Sequence, residues 1–73
     1  MMKADLAVRF GRAVRKLRQA QKMSQEELAE RCGLHRTYIS DIELGKRNVS
    51  LENIGRLAAA LNRPLPDFFK DVE

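Results

Sequence analysis

The chain is short and basic. It has 73 residues, and 14 Lys and Arg against 10 Asp and Glu give it a formal net charge of +4. A chain of this length forms one domain, here residues 1–73, with little room for a deep pocket. The positive charge favours a polyanionic partner, although an excess of this size is also ordinary for a soluble domain.

The residue types exclude several kinds of site. One cysteine, Cys32, excludes an intramolecular disulfide, and the sequence has no CxxC or HExxH spacing. We therefore expect no metal, no cofactor and no small-molecule ligand. No apolar run approaches the roughly 18 residues of a membrane span, and the first twenty residues are charged throughout, unlike a signal peptide. These features predict a soluble, cytoplasmic protein that does not bind a membrane.

The first two predicted helices are amphipathic. Helix one runs from about Ala4 to Gln21. Ser24 and Glu27 form the capping box S-x-x-E, in which the serine hydroxyl accepts a hydrogen bond from the amide three residues on. This cap begins a second helix of about two turns, and Gly33 supplies the left-handed residue that ends it. The apolar residues that recur at spacings of three and four in these helices are Leu6, Phe10, Ala13, Val14, Leu17, Leu28, Ala29 and Cys32.

A third helix starts near His35 or Arg36 and ends at Leu44, with Gly45 after it. Because only a tight glycine-containing turn separates this helix from the second, the two form a helix-turn-helix over about residues 24–44.

The rest of the chain predicts two more helices. Ser50 caps a fourth helix, and Asn62 closes it. Pro66 suits the first position of a short fifth helix. Nothing alternates with a period of two residues. The sequence therefore predicts an all-α fold, a compact bundle of five helices.

The third helix carries a polar face. Arg36 lies four residues before Ser40, and Thr37 lies four before Asp41, so all four share a face turned away from Ile39 and Ile42. A B-DNA major groove admits one helix. There a guanidinium can bind guanine, a hydroxyl can meet thymine and a carboxylate can accept from cytosine. The alternative interpretation is a solvated helix face.

Residues on either side of this face support DNA binding. Gln25 lies in the first turn of the second helix, whose amides would point toward a phosphate. Lys46, Arg47 and Asn48 follow the third helix in a loop where charge and amide groups would bind the DNA backbone, or enter the minor groove. We expect these groups on one side of the molecule.

The segment from Ser24 to Leu61, SQEELAERCGLHRTYISDIELGKRNVSLENIGRLAAAL, resembles the Cro and phage-repressor type of helix-turn-helix, called the XRE family. Within that family, HRTYIS followed by KRN resembles the controller proteins of restriction-modification systems, which are dimeric autoregulators of about this length. The resemblance implies a lambda-repressor-like fold with the third helix in the major groove. His35 stands where many relatives place a small capping residue.

The resemblance also implies roles for individual residues. The residues implied to read bases are Arg36 and Thr37, assisted by Ser40 or Asp41. The residues implied to contact phosphates are Gln25, Tyr38, Arg47 and Asn48. The residues implied to form an ion pair between the first helix and the end of the third are Arg18 and Glu43.

The region of about residues 50–72 is expected to form a dimer interface. Leu65, Phe68 and Phe69 exceed what a short last helix needs to cover a small core. Either one phenylalanine packs inward, or the cluster continues onto a partner. We favour a homodimer, which would place two DNA half-sites about 34 Å apart. The alternative is a monomer with both rings buried.

Three classes of function compete. The favoured one is a transcription regulator that binds double-stranded operator DNA as a homodimer and represses or activates transcription. The second is a protein-interaction module, such as an antitoxin of the same fold, which would need an added toxin-binding segment. The third is an enzyme, for which the sequence offers no paired carboxylates, nucleophile elbow or phosphate loop.

Overall fold

Four α-helices and one short 3-10 helix make up the described part of the chain. The computed structural model describes the backbone of residues 3–69 and the side chains of residues 6–69. The elements in chain order are α1 (Lys3–Ala20), α2 (Gln25–Cys32), α3 (Arg36–Glu43), α4 (Leu51–Leu61) and the 3-10 helix (Leu65–Phe68). None of the helices in this part of the chain is long and apolar enough to cross a membrane. The all-α fold predicted from the sequence is confirmed.

Local side-chain and backbone signals set the ends of α2 and α4. The hydroxyl oxygen of Ser24 accepts a hydrogen bond from the backbone amide of Glu27 at 3.0 Å. The hydroxyl oxygen of Ser50 accepts one from the backbone amide of Asn53 at 3.1 Å. Gly33 ends α2 with φ 70°, and Asn62 ends α4 with φ 53°, both in the left-handed region. All four residues act as the sequence predicts.

Every element contributes to one apolar core. The buried side chains are Phe10, Val14, Met23, Leu28, Ala29, Cys32, Ile39, Ile42, Leu57, Leu61 and Phe68. The helix-turn-helix lies on this core through Leu28 of α2 and Ile39 of α3, which are both fully buried. Packing of α2 and α3 against α1 and α4 therefore fixes which face of α3 remains outside.

The backbone of α1 lies directly on the end of α3. A Cβ atom added at Gly11 would lie 2.1 Å from the carbonyl oxygen of Ile42, so only glycine permits this approach. A Cβ atom added at Gly45 would lie 2.6 Å from Cγ2 of Val8. Gly45 also has φ 76°, which turns the chain away after α3.

The expected fifth helix is a single 3-10 turn. Its hydrogen bonds run from the amide of Asp67 to the oxygen of Pro64 at 3.0 Å and from Phe69 to Pro66 at 3.1 Å. Each of these bonds joins an amide to the oxygen three residues back, which is the spacing of a 3-10 turn and not of an α-helix. Residues 3–69 therefore contain four α-helices, and the fifth helix expected from the sequence is not α-helical there.

The structure also corrects the expected role of Phe68. Its side chain is 0% exposed, and its ring centroid lies 6.0 Å from that of Phe10. Phe69 is half-buried and stacks on the same Phe10 ring at 5.6 Å. Phe68 therefore belongs to the core and leaves no surface for a partner, because its ring is enclosed beside Phe10.

Candidate nucleic-acid interface

His35 begins α3 as its capping residue. Its backbone is extended, and its ring nitrogen Nδ1 accepts the amide of Thr37 at 3.1 Å. A histidine thus does here what a small hydroxyl or amide side chain commonly does.

The polar face of α3 is outside the core. Arg36 and Thr37 are exposed, and Ser40 and Asp41 are half-buried at its edge. Ile39 on the opposite face is 0% exposed. The four predicted base-reading residues therefore share one side of the helix, and the first two are open to solvent at its N-terminal end, the end that reaches base edges in helix-turn-helix complexes.

Asp41 is engaged by the loop that follows α3. Its Oδ2 accepts a hydrogen bond from Nε of Arg47 at 3.3 Å. The guanidinium carbon of Arg47 also lies 5.3 Å from the centroid of the Tyr38 ring, a cation–π distance. The predicted base-reading carboxylate therefore holds a predicted phosphate-binding cation in the structure.

Tyr38 joins α3 to α4. Its hydroxyl oxygen accepts a hydrogen bond from Nδ2 of Asn53 at 3.1 Å, and its half-buried ring packs against the core. A phenol that accepts one bond keeps its own hydrogen to donate, so the contact leaves Tyr38 able to bind a phosphate oxygen. Sequence reasoning did not single out Asn53, because nothing local distinguishes it from other polar residues of α4.

Gln25 and Arg18 meet on one carboxylate. Glu43 is 8% exposed, and its oxygens accept from Nε of Arg18 at 2.7 Å and from Nη2 of Arg18 at 3.0 Å. Nε2 of Gln25 donates to the same carboxylate at 3.0 Å. Glu43 thus ties α1 and α2 to the end of α3, and Gln25 retains a second amide hydrogen for another acceptor.

The loop after α3 presents three polar side chains to solvent. Lys46, Arg47 and Asn48 are all exposed. The backbone amide of Lys46 donates to the backbone carbonyl oxygen of Asp41 at 2.9 Å, which anchors the start of the loop to α3. The loop therefore places two cations beside the polar face of α3.

An apolar groove lies next to this loop. It has a volume of about 240 Å³, and its lining residues are Leu6, Ala7, Phe10, Arg47, Asn48, Val49, Ile54 and Phe69. Leu65, another predicted interface residue, is 44% exposed. Two of the three predicted interface residues, Leu65 and Phe69, thus reach the surface, whereas Phe68 does not.

Comparison with known proteins identifies the family. A family model described as helix-turn-helix matches residues 14–68. Control protein C.BamHI of Bacillus amyloliquefaciens is 54% identical over 61 residues, which are 82% of this chain and 75% of that protein. Control protein C.MunI of a Mycoplasma species is 46% identical over 70 residues, which are 94% of this chain and 95% of that protein.

A solved structure supports the same assignment. The crystal structure of the restriction-modification controller protein C.AhdI from Aeromonas hydrophila matches this fold with a TM-score of 0.84. It is 48% identical, over 86% of this chain and 96% of that one. The chain therefore belongs to the helix-turn-helix family of DNA-binding transcription regulators, the family that includes these control proteins.

Proposed function

We propose that this chain regulates transcription by binding operator DNA as a homodimer, with α3 in the major groove. The observation that carries the proposal is the polar face of α3, whose first two residues, Arg36 and Thr37, are exposed and beside which lies a loop with two cations. A groove of B-DNA admits one helix with such a face.

Base reading begins at the N-terminal end of α3. Arg36 is exposed and can bind the two acceptors of a guanine edge, and Thr37 can meet a thymine methyl group or donate a hydrogen bond. Ser40 lies one turn further along the same face. Asp41 accepts from Arg47 through Oδ2 and has a second carboxylate oxygen that can accept from a cytosine, so one side chain can join the loop to a base.

Phosphate contacts come from groups around this helix. The proposed phosphate-binding residues are Gln25, Tyr38, Lys46, Arg47 and Asn48. The exposed cations of the loop supply charge for the DNA backbone, and Gln25 stands in the first turn of α2, where helix amides favour a phosphate. These contacts carry little sequence information and fix the register of α3 instead.

Pairing of two subunits doubles the reading surface. We propose that Leu65 and Phe69, with the apolar groove that Phe69 lines, pack against a second copy of the chain. A two-fold pair would place the two α3 helices in successive major grooves, about 34 Å apart. The operator would then be an inverted repeat.

The relatives suggest the regulatory setting. C.AhdI is a restriction-modification controller protein, and C.BamHI and C.MunI are control proteins. We propose that this chain likewise controls the genes of a restriction-modification system, in the cytoplasm, where it meets its operator.

One experiment tests the proposal as a whole. DNA bound by the protein is selected from a random pool, and the mass of the free protein is measured by sedimentation. We expect an enriched inverted repeat with half-sites about one helical turn apart, and a particle of twice the 8.4 kDa chain mass. Failure to enrich any sequence would exclude operator binding, and a monomer that enriches a single half-site would exclude the homodimer.

A further inference from the structure

Leu44 is a large apolar side chain at an unexpected place. It is 59% exposed, although it follows the last residue of α3 directly. Its amide donates to the oxygen of Ser40 at 3.1 Å, and its backbone keeps helical angles, φ −85° and ψ −2°. The direction of its side chain is therefore set by the register of α3.

That register places Leu44 on the polar face of the helix. It follows Ser40 by four residues and Thr37 by seven, the spacings of side chains that share one helix face. Ile42, on the other face, is 1% exposed. After Leu44 the chain turns at Gly45 toward Val8 of α1, which leaves the leucine uncovered.

Within residues 6–69, Leu44 belongs to neither of the apolar clusters described above. It is not among the side chains that form the core or pack against it. Nor does it line the apolar groove proposed for subunit pairing. Unlike Leu51, which is also exposed, Leu44 lies on the face of α3 proposed to enter the groove, where it can pack on an apolar group of the bound molecule.

The major groove of DNA offers one such group, the C5-methyl of thymine. Leu44 follows Thr37 by seven residues, a rise of about 10 Å along the helix axis. That distance corresponds to roughly three base-pair steps of about 3.4 Å. A helix lying along the groove would therefore bring Leu44 to a base that Arg36 and Thr37 do not reach.

We infer that Leu44 is a further base-reading residue, whose side chain contacts the C5-methyl group of a thymine in each half-site, beyond the bases that Arg36 and Thr37 reach. The inference rests on the proposed function and adds to it a specific base, thymine, and a specific chemical group. It requires no polar contact, since apolar packing on the methyl group supplies the discrimination.

Replacement of single thymines by uracil removes only that methyl group and tests the inference. In the selected operator, each thymine is changed to uracil in turn, and the affinities of the wild type, Leu44→Ala and Leu44→Met are measured. At one thymine per half-site, uracil should weaken wild-type binding about fourfold, the equivalent of about 0.8 kcal/mol for one methyl group. Leu44→Ala should bind the thymine and uracil operators with equal affinity. Leu44→Met should retain most of the preference for thymine.

Several results would overturn the inference. In the first, Leu44→Ala binds every operator as the wild type does. In the second, Leu44→Ala loses affinity while keeping the wild-type response to uracil at every thymine. The second result would assign Leu44 to the sugar-phosphate wall. Both leave the proposed function intact, because the wild type still binds its operator. Absence of specific binding by the wild type would overturn both. Thermal unfolding of the variants checks that this exposed position leaves the fold unchanged.

Discussion

Arg18 and Glu43 form a two-contact ion pair that joins α1 to the end of the proposed reading helix. Nε and Nη2 of Arg18 donate to the two carboxylate oxygens of Glu43 at 2.7 and 3.0 Å, in a paired geometry. The side chains are 11% and 3% exposed. Nη1 of Arg18 also donates to the oxygen of Met23 at 2.7 Å, so the guanidinium fixes the α1–α2 turn as well.

Removal of one member of this pair should destabilise the protein strongly. Arg18→Met leaves a buried carboxylate without its cation, and Glu43→Met leaves a buried cation, each at about 3–5 kcal/mol. The double variant Arg18→Met with Glu43→Met should lose much less than the sum, since neither charge remains. Urea denaturation measures all three. Strictly additive losses would show that the two side chains act independently.

Two glycines should respond in opposite directions to alanine. Gly11→Ala places a methyl group 2.1 Å from the carbonyl oxygen of Ile42, so α1 must move off α3, at about 1–3 kcal/mol or more. Gly55 lies in α4 with nothing within 4 Å of the new methyl group, and Gly55→Ala should stabilise by about 0.4–1 kcal/mol. Thermal unfolding compares the two. If Gly11→Ala were as stable as the wild type, the close contact between α1 and α3 would be refuted, whatever the effect of Gly55→Ala.

The cap at His35 should be replaceable by a smaller acceptor. His35→Ala removes the acceptor of the Thr37 amide and should cost about 1 kcal/mol. His35→Ser keeps an acceptor at the same position and should restore most of that stability. Chemical denaturation gives both values. If serine and alanine proved equally destabilising, the imidazole would stabilise α3 by packing rather than by capping.

Loss of a base contact and loss of a phosphate contact should change DNA affinity in different ways, the first depending on the DNA sequence and the second on the salt concentration. Arg36→Ala should cost about 1–3 kcal/mol on the selected operator and relax specificity at one base pair. Lys46→Ala should weaken binding to all sequences alike and lower the salt slope by about one. Titration of operator and unrelated DNA at several salt concentrations distinguishes them. A uniform loss for Arg36→Ala would reassign Arg36 to the DNA backbone.

Cys32 should make stability depend on alkaline pH. Burial raises the pKa of its thiol above the ordinary value of 9.0, and the nearby Arg56 only partly opposes this. Between the two pKa values the unfolded chain has released the thiol proton and the native state has kept it, so stability falls as pH rises. The stability difference between wild type and Cys32→Ala should be constant below about pH 9.0 and shift against the wild type above it. Urea denaturation across pH measures this, and parallel curves would exclude it.

Local signals in the sequence determined where the helices begin and end. Ser24, Gly33, Ser50 and Asn62 act through hydrogen bonds or backbone angles within about four residues, so their effects follow from the sequence alone. The same holds for the polar face of α3, because helical spacing alone places four side chains together. The helix-turn-helix and its family were therefore predictable.

Only the tertiary structure decided which partners these side chains meet. Sequence reasoning did not tell Phe68 from Phe69, because burial depends on where the Phe10 ring of α1 lies. The Asp41–Arg47 contact and the Asn53–Tyr38 hydrogen bond also depend on the path of a loop and the position of α4. Local hydrogen bonds are encoded within a few residues, whereas these contacts need several elements packed at once.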